Sequence, residues 1–145
     1  IMCQFVDDID IVVDILRQRQ DFKVIEERDY IRNTKASGYR SYHVIIKYPI
    51  ETLSGQKHIL AEIQIRTLAM NFWATIEHTL RYKYDGAYPD EIQHRLERAA
   101  EAAYLLDEEM SEIKRIPDIR PGLKQGMLFY LCASGSKQVM VCSPR

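Results

Sequence analysis

The chain has 145 residues, 46% of them hydrophobic and 28% charged. That length fits one domain and that composition supports a packed core, so disorder is not the starting expectation. Lys and Arg number 20 against 21 Asp and Glu, a formal net charge of −1, which argues against a general polyanion binder and makes nucleic acid an unexpected partner, but leaves room for a locally basic pocket that holds one nucleotide.

Cys3, Cys132 and Cys142 form no CxxC and have no His at metal spacing. So sparse and odd a count suits a reducing cytoplasm better than a disulfide scaffold. No signal-peptide pattern is present, and no apolar run approaches the roughly 18 residues of a membrane span. The expectation is a cytoplasmic protein with no membrane partner. Because the chain begins Ile1-Met2, it either starts inside a longer protein or carries a residue ahead of its start.

Residues 1–5 are short and apolar and read as a strand. Asp7 or Asp8 then offers an N-cap carboxylate, and Ile9, Val12, Val13 and Leu16 recur at helical spacing. After the polar residues 17–20, Phe22 to Ile25 reads as a second strand. Glu26 to Arg40 is polar and basic, with Ser37-Gly38 as a turn signal, and reads as a loop. Ser41 to Tyr48 reads as a strand stopped by Pro49, and His58 to Arg66 as its partner across a turn at Ser54-Gly55. Thr67 is placed to cap a helix that lines up Ala69, Phe72, Trp73, Ile76 and Leu80. A break at Asp85-Gly86-Ala87-Tyr88-Pro89 leads into a second helix. There Ile92, Leu96, Ala99, Ala103, Leu106, Met110 and Ile113 alternate in steps of 4 and 3, the seam of a helix that packs lengthwise on another. Beyond Arg115, Pro117, Pro121, Gly122, Gly126 and Gly135 exclude a helix. Met127 to Ala133 and Gln138 to Cys142 read as two short strands around Ser134-Gly135-Ser136.

The strand faces carry the chemistry. Residues two apart share a face. From 58 to 66 one face is Ile59, Ala61, Ile63 and Ile65, and belongs on the core. The other is His58, Leu60, Glu62, Gln64 and Arg66. This second face is either the solvated side of an antiparallel sheet or a site floor, with Glu62 as a base or metal ligand. In the preceding strand Tyr42, Val44, Ile46 and Tyr48 share one face, and Ser41, His43, Ile45 and Lys47 the other. The loop entering it brings Lys35, Tyr39 and Arg40. Cations, an imidazole and an aromatic so close together suit a nucleotide, with phosphate held by charge and base by stacking. A solvated basic loop is the other reading. On the following helix Asn71, Thr75 and His78 share a face that either meets the same site or is ordinary surface. No GxxxxGK[ST], GxSxG or HExxH occurs.

Residues 29–43, DYIRNTKASGYRSYH, resemble the guanine-nucleotide loop of the RelA/SpoT-type alarmone synthetases. Residues 62–67, EIQIRT, are similar to that family's strand, and residues 71–78, NFWATIEH, to the helix after it. The resemblance is greatest to the small, single-domain synthetases of the RelQ type and runs from Ile1 to about Ile113. It implies transfer of the β,γ-pyrophosphate of ATP to the 3′-hydroxyl of GTP or GDP, giving (p)ppGpp and AMP in the stringent response, with Mg²⁺ required. By motif position, it implies that Tyr39 stacks on guanine, that Lys35 and His43 meet the acceptor phosphates, and that Glu62 takes the hydroxyl proton or helps hold Mg²⁺. Gln64 and Asn71 would line the acceptor site, with Arg28 near the phosphates. Small members of the family form homotetramers, which suits the helical seam; packing within one chain is the alternative. The fold implied is α+β, a mixed sheet covered by helices, nucleotidyltransferase-like, with C-terminal helices.

The sequence departs from the family's pattern in three places. An ATP-binding R-x-K segment, and a Mg²⁺-binding Asp in a D-x-x-G-x-R stretch, fall ahead of Ile1. Thr34 stands where many members have Pro. Residues 115–145 do not resemble the family's C-terminus. The expected organisation is therefore an N-terminally truncated synthetase domain over 1–114 and a divergent tail over 115–145. Phosphate-binding and metal contacts are each worth several kcal/mol in such reactions, so turnover by this chain alone is not expected. The alternative function is a non-catalytic guanine-nucleotide-binding or oligomerisation fragment.

Overall fold

The computed structural model describes residues 1–84, 88–117, 127–133 and 136–142. In chain order its elements are β1 (Met2–Cys3), α1 (Asp7–Gln18), β2 (Lys23–Asp29), β3 (Tyr42–Thr52), β4 (Gly55–Thr67), α2 (Leu68–Lys83), α3 (Asp90–Arg115), β5 (Met127–Ala133) and β6 (Ser136–Cys142). The strands form one sheet in the order β2-β3-β4-β1-β5-β6. β1 runs parallel to β4, with Met2 beside Arg66, and every other neighbouring pair is antiparallel. The sheet is thus mixed and the fold α+β, as expected.

α1 covers one face of the sheet. Its Ile9, Val12, Val13 and Leu16 pack with Tyr42, Val44 and Ile46 of β3 and with Ile65 of β4. Burying each such side chain is worth about 1.5–3 kcal/mol. The helix does not begin as the sequence suggests. Val6 is the capping position and has no side-chain cap bond, whereas Asp8, the second residue of the helix, accepts the Phe5 N–H at 3.3 Å. Asp7, Asp8 and Asp10 still place negative charge at the positive end of the helix dipole.

Several strands run longer than expected, β2 and β3 in ways that the sequence pattern opposed. Glu26 to Asp29, read as loop, continues β2, with Glu27 opposite Val44 and Arg28 opposite His43. Its polar residues hide it from hydrophobic patterning, because the strand is held by side-chain partners instead. Tyr42 donates its O–H to Glu27, and Arg17 binds the same carboxylate at 2.7 and 3.0 Å. Pro49 does not stop β3, which runs on to Thr52 opposite Gly55. The last pair with β2 is Lys23–Lys47, so beyond it β3 has an open edge, where the missing N–H of a proline costs no ladder bond.

Both helical stripes also need correction. In α2 the buried residues are Met70, Trp73 and Ala74, while Phe72 is 70% exposed. In α3 they are Leu96, Ala100, Asp107 and Ser111, and Leu106, Met110 and Ile113 stay exposed. The buried side of α3 is partly small and polar because backbone approaches it closely. The Trp73 indole donates to the Leu96 carbonyl at 3.0 Å, Thr67 donates to Asp107, and Ser111 accepts the Val6 N–H at 3.3 Å. Thr67 does cap α2, accepting the Met70 N–H at 3.1 Å. Near the end of α3, Lys114 reaches the buried Asp8 at 2.6 Å.

The two tail strands occur, as β5 and β6, and extend the sheet beside β1. The break at 85–87, the residues 118–126 and the turn at 134–135 lie outside the described residues.

Candidate functional site

The face of β2, β3 and β4 opposite α1 carries polar side chains in register. Arg28 lies across from His43, and His43 across from Gln64. Glu62 is two residues before Gln64 on the same face, and Arg66 two after. The loop from Tyr30 to Ser41 borders this face, and α2 follows directly from β4.

Hydrogen bonds join these residues into one network. The Arg66 guanidinium donates to the Tyr39 hydroxyl at 2.6 Å, to Gln64 Oε1 at 2.7 Å, to Ser41 Oγ at 3.2 Å and to Asn71 Oδ1 at 3.4 Å. Tyr39, whose oxygen is taken by Arg66, donates its O–H to His43 Nε2 at 2.9 Å. That leaves the His43 proton on Nδ1, which donates to Glu62 Oε1 at 2.7 Å. Gln64 donates to the same Oε1 at 2.8 Å. Both bonds to Glu62 fall on Oε1, so among the described residues Oε2 accepts none. Burial pushes His43 below the ordinary imidazole pKa; Glu62 opposes the shift, and Arg66, Lys35 and Arg28 add to it. A neutral His43 is the form this network requires.

Lys35 holds the loop's aromatic residues together. Its ammonium lies 4.4 Å from the Tyr30 ring centre and 5.0 Å from that of Tyr39. The Tyr30 ring stands edge-on to His43 at 5.1 Å. Gly38 closes the turn, donating its N–H to the Lys35 carbonyl at 2.8 Å. Its φ is +83°, and a Cβ there would lie 2.5 Å from the Ala100 Cβ, so glycine alone permits both the backbone and the contact with α3. Arg40 points away from the site, over the Tyr104 ring at 4.2 Å and onto Glu101 at 2.9 Å.

Beside the network is an open cleft of about 480 Å³, lined by Tyr39, Gln64 and Arg66 on one side and by Ala74, Thr75 and His78 of α2 on the other. Lys35, Tyr39, His43, Glu62, Gln64 and Asn71 are therefore brought together. Arg28 shares the face, but its guanidinium is engaged by Glu26 at 2.6 and 3.0 Å. The sequence reading put Arg66 and Ser41 on this face without giving either a role of its own, and left out Tyr30. Arg66 was accessible from the alternation of 62, 64 and 66. Tyr30 becomes visible only when the loop closes, with the Tyr30 N–H on the Ser41 carbonyl at 3.0 Å. Among the described residues no group of three His, Cys, Asp or Glu side chains is placed to hold a metal ion. The open Oε2 of Glu62 fits one of the one or two carboxylate contacts made by a Mg²⁺ bound chiefly by substrate phosphates and water.

The aromatic and cationic loop, the carboxylate-bearing sheet face and the helix beside the cleft lie in an α+β domain whose fold matches that of solved small alarmone synthetases. The chain belongs to the RelA/SpoT family: the region found in RelA / SpoT proteins matches residues 1–87. It is 65% identical over 114 residues to the GTP pyrophosphokinase YjbM of Bacillus subtilis, covering 79% of this chain and 54% of that protein. With the GTP pyrophosphokinase YwaC of the same organism it is 43% identical over 118 residues, covering 81% and 56%. The crystal structure of small alarmone synthetase 1 from Bacillus subtilis, bound to its product pppGpp, superposes with a TM-score of 0.77 at 65% identity, covering 78% of this chain and 58% of that one. The chain thus spans about half the length of the curated relatives it matches.

Proposed function

We propose that the protein is a GTP pyrophosphokinase and that the described face is its acceptor-nucleotide site. The observation that carries this reading is Glu62, fixed through Oε1 by His43 and Gln64 and open at Oε2, beside the Tyr39–Lys35 loop. Two curated relatives are named for this activity, and one solved relative holds pppGpp.

Guanine stacks on Tyr39 in the cleft, with Gln64 along its wall and Asn71 bound to Arg66 beside it. Lys35 supplies positive charge to the acceptor phosphates. His43, with both ring nitrogens engaged, meets them only by exchanging one of these bonds, and Arg28 only by leaving Glu26. The acceptor 3′-oxygen attacks the β-phosphorus of ATP as its proton passes to Glu62. The bond from that phosphorus to the α-phosphate oxygen breaks, and AMP leaves. Alternatively Glu62 would help hold a Mg²⁺ ion rather than take the proton, and the metal would then neutralise phosphate charge. Such transfer is chiefly positioning and electrostatics. In a version extended by the ATP-binding segment that the family resemblance places ahead of Ile1, incubation with GTP and γ-labelled ATP should give labelled pppGpp. Glu62→Gln should lower kcat by about 10²–10⁴-fold, the usual worth of a general base; full activity would remove the base from Glu62.

Residues Leu106, Met110 and Ile113, the exposed half of the α3 seam, support assembly of copies into a homotetramer; light scattering showing a monomer would end that reading. Residues 115–145 are proposed as a divergent tail. A cytoplasmic location is supported by the sparse, odd cysteine count of the sequence. Among the described residues no helix is long and apolar enough to cross a membrane.

A further inference from the structure

We infer that Arg66 is the positioning residue of the acceptor site: its planar fork sets the plane of Tyr39 and the orientation of the Gln64 amide without itself binding phosphate. This rests on the reading of the face as a guanine-nucleotide site and adds a residue which that reading does not assign. Among the described residues Arg66 donates to no carboxylate. All the acceptors it holds are neutral: Tyr39 OH, Gln64 Oε1, Ser41 Oγ and Asn71 Oδ1. Tyr39, Gln64 and Asn71 are themselves proposed nucleotide contacts. Through Tyr39 the fork also fixes which His43 nitrogen carries the proton, and through Gln64 it reaches Glu62.

A guanidinium suits this work because its donors lie in one plane at fixed angles, so neighbours bound to it are oriented relative to one another; a lysine ammonium binds but does not orient. Register adds a second reason. Arg66 is paired with Met2 of β1, so its backbone lies inside the sheet, whereas Tyr39 rides on a loop. Arg66 thus anchors a mobile class of element to a rigid one. A tyrosine ring without that anchor must be ordered by the nucleotide itself, at a cost in affinity.

The test is titration of GTP, GDP and GMP into this chain and its Arg66→Met and Arg66→Lys variants. Arg66→Met should weaken all three nucleotides by a common factor of about tenfold, the worth of a charge-assisted hydrogen bond, and Arg66→Lys should recover only part of it. A loss that grows from GMP to GTP would overturn the inference and make Arg66 a phosphate ligand. In a Tyr39→Phe background the Arg66→Met loss should shrink; full additivity would also overturn it. In the ligand-free chain, NMR signals of the Tyr39 ring and Gln64 amide should shift in Arg66→Met, and unchanged signals would contradict the inference. If the parent chain binds none of the nucleotides, the acceptor-site reading fails, while the ligand-free spectra still decide whether Arg66 orients these groups.

Discussion

His43 Nδ1 lies 2.7 Å from Glu62 Oε1, diagonally across the β3–β4 ladder. The contact gives the carboxylate one occupied and one open oxygen. It also makes the imidazole a support for the proposed base, a different role from the phosphate contact implied by motif position alone.

His43 should make stability depend on pH in a known direction. Burial lowers its folded pKa below the ordinary imidazole value of 6.5. The unfolded chain therefore binds more protons in the window below that value, and stability falls as pH drops from 6.5 toward the folded pKa. His43→Gln should remove this part of the slope. Urea unfolding at pH 7 and pH 5.5 measures it, and equal slopes for both proteins would place a charged imidazole in the fold.

Asp107 should act in the opposite sense. Burial raises its pKa above 3.8, Thr67 counteracts this, and Glu108 adds to it. The folded state binds more protons, so stability is lost as pH rises from 3.8 through the raised value. Asp107→Asn should gain on the parent between pH 3.5 and pH 7 in paired melts. Thr67→Val should lose about 1 kcal/mol from the α2 cap and about 1–3 kcal/mol more from the unpaired carboxylate.

Gly38→Ala should damage both the fold and the site. Its positive φ and the 2.5 Å approach to Ala100 each oppose a methyl group, at roughly 1–3 kcal/mol apiece. Ala100→Gly in the same chain should return the steric part and leave the backbone part. Thermal melts of the single and double variants separate the two, and an unaltered melting temperature in Gly38→Ala would mean the loop does not pack on α3 as described.

The sequence disclosed the elements whose period matches their burial. α1 is legible because Ile9, Val12, Val13 and Leu16 face one core. The site face is legible because Glu62, Gln64 and Arg66 alternate with Ile63 and Ile65. α3 misleads because its buried stripe includes Ala100, Asp107 and Ser111, chosen for close approach and for partners distant in sequence. β2 misleads because Arg17 lies ten residues from Glu27, and no local pattern reveals that pairing. The loop's motif pointed to Lys35 and Tyr39; the bonds joining Tyr39 to Arg66 and His43, and the packing of Lys35 on the Tyr30 and Tyr39 rings, needed the fold.

The most direct test of the account is calorimetric titration of GDP into this 145-residue chain beside its Tyr39→Ala variant. Saturable one-site binding that Tyr39→Ala abolishes is the result the account predicts. Absence of binding in the parent chain, or binding that survives the loss of the Tyr39 ring, would contradict the assignment of this face as an acceptor-nucleotide site.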